Sequence, residues 1–411
     1  MKQLAAMHFL AFVCVFSSFA AQAAEERRNI LFILVDDQRW DALSCMGHPI
    51  LKTPAADSLA ANGVRFANAF VTTSLCSPSR ASILTGLYAH SHRVVDNQSG
   101  MSEKLRFFSE DLQQAGYRTA FIGKWHMGHD GDEPRKGWHH WVSFEGQGHY
   151  FPDLPGGRKA MLNVDGRKVV QTAYITDELT DYAETWLREQ QDGGAPWMLY
   201  FSHKAAHHDF QPAPRHQGKY AGAEIPPFPT TQGTPQDELK PMWARNQRNS
   251  WHGAEHAFHG TEGKLEEIYR RYCETLLAVD ESTQRLLDFL RATDQLDSTL
   301  IIYMGDNGHL WGEQGLIDKR TAYEASIRVP LIMHCPDQGD AAKFQFVLPG
   351  EGRTDYVQYF SLLKQHGYTG PVCVEVSGQV FSKPGYDPIA AAKQCHATLS
   401  VALTKAFRSN N

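Results

Sequence analysis

Past its first 23 residues, this 411-residue chain has no apolar run of the ~18 residues that a membrane-spanning helix requires. It has seven cysteines and no Cys-x-x-Cys pair, so neither a disulfide framework nor a thiolate zinc site can be read from it. It has no basic excess. Forty Lys and Arg face 46 Asp and Glu, a formal net charge of −6, which leaves no electrostatic footprint for nucleic acid. It also shows no internal repeat, which removes solenoids and propellers. What remains is an ordinary globular composition, 42% hydrophobic and 21% charged. The length suits one large domain plus something smaller.

The first 23 residues read as a secretory leader. Lys2 gives a basic start, Leu4 to Phe19 is mostly apolar, and Ala21-Gln22-Ala23 is an A-x-A cleavage site before Glu25-Glu26-Arg27-Arg28. The expectation is an exported protein, periplasmic or extracellular, without stable membrane insertion. Cys14 would leave with the leader. Cys45, Cys273, Cys335, Cys373 and Cys395 could supply one disulfide, and the sequence does not choose it. Twenty histidines and 11% aromatics suit a polar, sugar-binding cleft, and equally suit ordinary core and surface positions.

Strand and helix patterns alternate. Ile30 to Val35 is an unbroken apolar run, as in a strand buried on both faces. Further strands are expected over Val64 to Val71, Arg118 to Ile122, Trp197 to Phe201, Leu300 to Met304 and Val329 to Met333. Helices are expected from Pro54 to just before Gly63, Pro78 to Thr85, Tyr174 to Gln190 and Leu265 to Arg291. This alternation predicts an α/β sandwich with a largely parallel central sheet. Residues 208–260 lack periodicity and read as an excursion over the active-site face, where His252, His256 and His259 could line a substrate entrance. Asn97-Gln98-Ser99 is a glycosylation sequon, with meaning only in a eukaryotic host.

Chemistry-bearing residues fall just after the strand ends. Asp36-Asp37 follows the first strand, Lys124 and His126 follow Ile122, His203 and His207 follow Phe201, and Asp306-Asn307 follows Met304. Ligands of open α/β sheets bind outside the carboxyl ends of the strands. Asp36-Asp37-Gln38 alone reads as two loop carboxylates, and Asp306-Asn307-Gly308 alone as a turn. Together they supply three carboxylates and an amide oxygen, a hard donor set suited to Ca²⁺, with Mg²⁺ as the alternative.

Cys76-Ser77-Pro78-Ser79-Arg80, continuing to Leu84-Thr85-Gly86, joins these with Gly123-Lys124-Trp125-His126, Gly305-Asp306-Asn307-Gly308, Lys319 and Arg328-Val329-Pro330-Leu331-Ile332. In this order the motifs resemble the type I sulfatases, over roughly residues 29–335. The resemblance implies an alkaline-phosphatase-like fold and a maturation step in which a formylglycine-generating enzyme oxidises Cys76 to formylglycine. It implies that the hydrated aldehyde attacks sulfur with one hydroxyl. Deprotonation of the other then expels sulfate, which a serine could not do. The metal set would be Asp36, Asp37, Asp306 and Asn307, with the modified Cys76 as a further ligand. Arg80 would hold the loop and the alkoxide, Lys124 would neutralise charge, His126 would be the base of elimination, and Lys319 would bind a sulfate oxygen. His207 would protonate the leaving alcohol or bind sulfate. Ala206 replaces the proline that often precedes it in the family, and His203 is the fallback. The residues around the motifs are most similar to glycan-acting members that remove 6-sulfate from N-acetylglucosamine.

The likeness breaks off near Lys343. The family's closing strand, helix and small C-terminal subdomain are not recognisable. Residues from there resemble the last βα units of a xylose-isomerase-like barrel over about 65 residues, with a helix ending at Gly367-Tyr368, a strand from Pro371 to Val376 carrying Glu375, and a helix from Pro388 to Phe407. A barrel fragment cannot close its sheet, so no isomerase activity is expected. The organisation expected is a leader (1–23), a catalytic domain (24–335) and a tail (336–411). Two other readings stand beside the sulfatase: a phosphatase or phosphodiesterase of the wider alkaline-phosphatase-like superfamily, against which Cys76 with Pro78 and Arg80 argues, and an inactive truncated fusion.

Overall fold

The computed structural model describes residues 27–128, 131–191, 193–227, 239–248, 265–335, 348–351, 354–365 and 384–408. The leader, His252, His256, His259 and the Pro371 to Val376 segment with Glu375 lie outside the described residues. The chain divides into two units, Met1–Gln338 and Gly339–Asn411.

The first unit is built on a nine-stranded sheet. Its strands are β1 (Asn29–Val35), β2 (Val64–Arg65), β3 (Arg118–Gly123), β4 (His140–Ser143), β5 (Met161–Val164), β6 (Arg167–Val170), β7 (Trp197–Ser202), β8 (Thr299–Gly305) and β11 (Leu331–His334). A separate ribbon pairs β9 (Leu310–Trp311) with β10 (Ile317–Asp318). The order across the sheet is β2-β11-β8-β1-β7-β3-β4-β5-β6. The five central strands run parallel. Both margins are antiparallel, β11 against β8 and β2 on one side, and β5 against β4 and β6 on the other.

The expected largely parallel sheet is therefore corrected to a mixed one with a parallel centre. The marginal strands are short and half-exposed, and the expected strands at Val64 to Val71 and Val329 to Met333 prove to be antiparallel members of one margin. The other margin was not expected: Asp165-Gly166, both at positive φ, joins β5 to β6 as a two-residue hairpin turn. The expected strand Val64 to Val71 shortens to Val64–Arg65, followed by irregular backbone with a single bridge from Phe70 to Arg328. β11 starts at Leu331, after Pro330, which has no N–H to give a ladder.

Both faces of the sheet are covered. Leu31, Ile33, Ile122, Leu199, Phe201 and Ile301 point into one core, against helices Pro54–Ala61, Ile175–Glu189 and Leu265–Ala292. Phe32, Leu34, Phe121, Met198 and Tyr200 point into the other, where Phe121 stacks on Trp141 at 4.5 Å and meets Trp125 edge-on at 5.5 Å. Alternation along each strand divides the two sets. Each fully buried side chain of this size contributes about 1.5–3 kcal/mol. Trp125 thereby anchors the segment that carries Lys124 and His126. The long helix also fixes loops at the carboxyl edge: the Tyr272 hydroxyl donates to the Asp37 carbonyl at 3.1 Å and accepts from Arg39 N–H at 3.0 Å.

In the second unit, helix Tyr356–Gln365 packs on helix Pro388–Arg408 through Phe360, Ala402 and Ala406. The final helix lies where the sequence places it. The residues expected to end the preceding helix, Gly367-Tyr368, fall outside the described set.

Gly123 closes β3 at φ +122, and a Cβ there would lie 1.7 Å from the Ser202 carbonyl oxygen on β7. We expect Gly123→Ala to cost about 3 kcal/mol or more in urea unfolding, because both the backbone conformation and the strand crossing must change. An unchanged midpoint would show that β3 and β7 can separate there.

Candidate active site

β8, β1, β7 and β3 are neighbours, and each delivers its polar residues at the same edge of the sheet. Asp36 and Asp37 follow β1, Asp306 and Asn307 follow β8, Lys124 and His126 follow β3, and the segment from His203 to His207 follows β7. Strands ~4.8 Å apart bring residues distant in sequence into one cluster. Cys76 is the first residue of helix Cys76–Thr85, which starts two residues ahead of the expected Pro78 and ends at Gly86 in the left-handed conformation (φ 69°). Asn97 Oδ1 accepts the N–H of Ser77 at 3.1 Å, so the sequon asparagine serves the start of this helix. Cys76 is wholly buried.

The cluster sets three carboxylates against three cations. Lys124 donates to Asp36 and Lys319 to Asp37. Arg80 Nε donates to Asp306 Oδ2 at 2.9 Å, with Nη2 2.8 Å from the same oxygen. Its Nη1 donates to the Lys124 carbonyl at 2.8 Å and to Ser202 Oγ at 2.6 Å. The Asp37 N–H donates to Asp306 Oδ1 at 3.0 Å, and Asn307 Nδ2 donates to Asp37 Oδ1 at 2.7 Å. Cys76 Sγ stands amid them, 3.4 Å from Lys319 Nζ and 3.7 Å from both Lys124 Nζ and Asp36 Oδ1.

Every predicted site residue is at this edge, and the two histidine alternatives separate. His207 Nε2 lies 3.9 Å from Asp37 Oδ2. His203 is buried against Phe201 at 4.5 Å, and neither of its ring nitrogens has a hydrogen-bond partner among the described residues. His126 sits at φ 47°, its Nε2 3.2 Å from Gln147 Nε2, while its carbonyl accepts from Ser77 Oγ at 2.8 Å. Sequence reasoning missed Ser79, whose hydroxyl donates to the Asp306 carbonyl, and also Ser202, Gln147 and Tyr150. Ser79 lies three residues after Cys76 in the same motif, and Ser202 is a hydroxyl ending an otherwise apolar strand; both were discoverable. Gln147 and Tyr150 come from a glycine-rich loop without a motif.

The donor set fits a divalent cation. One carboxylate oxygen from each of Asp36, Asp37 and Asp306 lies within 4.8 Å of the others. Asn307 Oδ1 is buried without a partner among the described residues, an orphan acceptor that a hard cation would satisfy.

Protonation follows from burial and charge. Burial alone would raise Asp36, yet the charges of Lys124, Arg80 and Lys319 hold its carboxyl well below the ordinary range. Burial lifts Asp37 against the pull of Lys319, and burial with the charge of Asp36 lifts Asp306 to about 7. Burial pushes the Cys76 thiol up to about 12 against Lys124 and Lys319. It therefore lacks the thiolate character of cysteine nucleophiles. Burial, then Lys124, takes His126 down to about 2, and burial with Lys124 and Lys319 holds His207 well below 6.5. Both imidazoles are therefore neutral here, and each becomes a useful base only when negative charge enters beside it.

Comparison with known proteins gives this geometry a family. A model of the sulfatase family matches residues 28–350. The chain belongs to the sulfatase family. Within it, the chain is 33% identical over 366 residues to an N-acetylglucosamine-6-O-sulfatase of Bacteroides thetaiotaomicron, covering 76% of this chain and 63% of that protein. It is 29% identical to human N-acetylglucosamine-6-sulfatase, covering 77% of this chain and 58% of that protein. The chain thus spans about three-fifths of these relatives' length. Among solved structures it resembles BT4656 in complex with its substrate D-glucosamine-2-N,6-O-disulfate (TM-score 0.64, 31% identity, 76% of this chain and 72% of that one). A phosphonate monoester hydrolase of Agrobacterium radiobacter shares the fold (TM-score 0.60, 23% identity, 76% and 68%).

Two outcomes follow for this sulfatase-family site. Adding Ca²⁺ to chelator-treated protein is expected to raise its melting temperature, with about 2.7 kcal/mol gained at a hundredfold excess over Kd, and Asp306→Ala should abolish the gain. A calcium-independent melt would show that this donor set does not take Ca²⁺. Burial holds His203 at about 3 in the fold against 6.5 unfolded, so the unfolded chain binds more protons between these values. Its share of stability is present above pH 6.5 and is lost as pH falls, about 2 kcal/mol by pH 5. His203→Leu should flatten the fall in urea midpoint between pH 7 and 5; an unaltered slope would mean that His203 is not the buried neutral group described.

Proposed function

We propose that the chain hydrolyses sulfate esters on a carbohydrate, using formylglycine made from Cys76. The observation that carries this is the position of Cys76 Sγ, first in its helix and within 3.7 Å of Lys319 Nζ, Lys124 Nζ and the Asp36 carboxylate. A buried, protonated thiol among cations and carboxylates is poor equipment for thiolate attack, but it is well placed for an oxygen nucleophile made by oxidation. Hydrated formylglycine supplies one hydroxyl to attack sulfur and a second whose deprotonation expels sulfate and restores the aldehyde.

Asp36, Asp37, Asp306 and Asn307 would hold the cation, Ca²⁺ in this reading and Mg²⁺ as the alternative, with an oxygen of modified Cys76 as a further ligand. When bound, the ion would polarise a sulfate oxygen. Lys319 and Lys124 keep positive charge over the reacting group, and Arg80 locks Asp306 and the Lys124 backbone so that neither drifts. His126 starts neutral; the charge of the bound sulfate would raise its proton affinity and fit it to accept the proton whose loss drives elimination. His207 starts neutral beside Asp37; an incoming anion would raise its proton affinity and fit it to protonate the leaving alcohol.

The names of the relatives support a 6-sulfated N-acetylglucosamine-type sugar as substrate. The leader reading supports export to the periplasm or beyond, and no helix among the described residues is long and apolar enough to cross a membrane. Maturation would need a formylglycine-generating enzyme. The catalytic domain would span 24–335. The tail, 336–411, is read as a fused segment resembling the end of a sugar isomerase barrel, without a catalytic task.

The decisive test is sulfate release from 6-sulfated N-acetylglucosamine with Ca²⁺, by protein co-expressed with a formylglycine-generating enzyme. We expect release, and a loss of about 10³-fold or more in Cys76→Ala. Silence from a folded protein whose Cys76 mass shows formylglycine would sink this substrate.

A further inference from the structure

Beside the site's histidines lies a cleft of ≈ 450 Å³, lined in part by Gln147, Tyr150, Lys204, His208 and Asp209. Two of its walls touch the site's histidines: Gln147 contacts the ring of His126, and the Tyr150 hydroxyl donates to the His207 carbonyl at 2.6 Å. The two carboxylates lining the cleft have cationic or imidazole partners. Asp153 pairs with Lys159, and Asp209 lies 2.9 Å from His208 Nδ1. Lys204 does not follow this pattern. Its side chain is 96% buried (4% exposed), its ammonium lies 4.3 Å from the centroid of the Tyr150 ring, and among the described residues no carboxylate pairs with it.

A lysine buried this far without a counter-ion costs stability, and an aromatic face offsets only part of that. Burial, and secondly the charge of Lys124, lower its pKa to about 8, so it remains mostly protonated at neutral pH. Nothing in the sheet chemistry uses this charge, since the carboxylates of the cluster already have Lys124, Lys319 and Arg80. A buried cation without a carboxylate partner among the described residues, lining a cleft whose walls contact the site's two histidines, is a preformed place for an anion.

We propose that Lys204, held on the Tyr150 ring, is a specificity-determining residue that binds a second anionic substituent, sulfate or carboxylate, on the glycan whose sulfate ester is cleaved. The inference rests on the glycan sulfatase reading above. It predicts a preference for dianionic over monoanionic sugars that runs through one side chain.

The test measures binding by calorimetry to Ca²⁺-loaded, full-length Cys76→Ala protein, which cannot turn the sugars over. Three probes are compared: 6-sulfated N-acetylglucosamine, glucosamine 2-N,6-O-disulfate, and a disaccharide of 6-sulfated N-acetylglucosamine with a neighbouring uronate. The second and third distinguish a sulfate from a carboxylate partner. At least one dianionic probe should bind more tightly than the monoanion. Lys204→Met should cut that affinity ratio about tenfold or more, as loss of a charge-assisted hydrogen bond does, and Lys204→Arg should restore most of it. Thermal melts check that the variants fold. No dianion preference in the parent, or equal weakening of all probes by Lys204→Met with no change in their ratio, overturns the inference and assigns Lys204 to packing. Failure of the sulfatase reading looks different: no sulfated sugar binds, and unmutated, matured protein releases no sulfate.

Discussion

Three carboxylates buried within 4.8 Å of one another repel, and each is costly to desolvate. Much of the surrounding architecture answers that problem. Lys124, Lys319 and Arg80 come from three separate parts of the chain and are themselves buried to 1% exposure or less. None could be afforded in the interior without the acids, and the acids could not be held together without them. Removing one member would leave an uncompensated buried charge, which is why the cluster behaves as a unit.

This mutual dependence explains how packing far from the chemistry serves it. Trp125, wedged among Phe121 and Trp141, aims the residues on either side of it. Tyr272, on the long helix, grips the backbone of Asp37 and Arg39. Arg80 ties the Cys76 helix to the ends of β3, β7 and β8 in one side chain. A planar guanidinium with five donors can do this, and a lysine could not.

Much of the site was readable from the chain. Four of the five parallel strands at the centre are marked by their apolar runs, β4 being too short to show one, and polar residues immediately afterwards mark the carboxyl edge. Asp36, Asp37, Lys124, Asp306 and Lys319 were found this way or through the Cys76 motif they accompany. Of the marginal strands, β2 and β11 were expected with other bounds, whereas β5 and β6 were not found, because four residues apiece carry too little periodicity. Gln147 and Tyr150 were not found either: their contacts with His126 and His207 depend on how a glycine-rich loop folds back, and no local pattern records that.

The sequence by itself determined the family motifs, the alternation of strands and helices, and the donor chemistry at each strand end, because these depend on residue type and short spacing. Tertiary structure alone decided that the sheet has antiparallel margins, and that His207 faces the carboxylates while His203 turns into the core. It also decided that Asn97 serves the helix of Cys76, and that Lys204 lies on Tyr150 with no carboxylate partner among the described residues. The physical reason is common to all of these. Which buried charges acquire partners is set by strands and loops meeting in space, and a charge left over becomes visible only when every neighbour is in place.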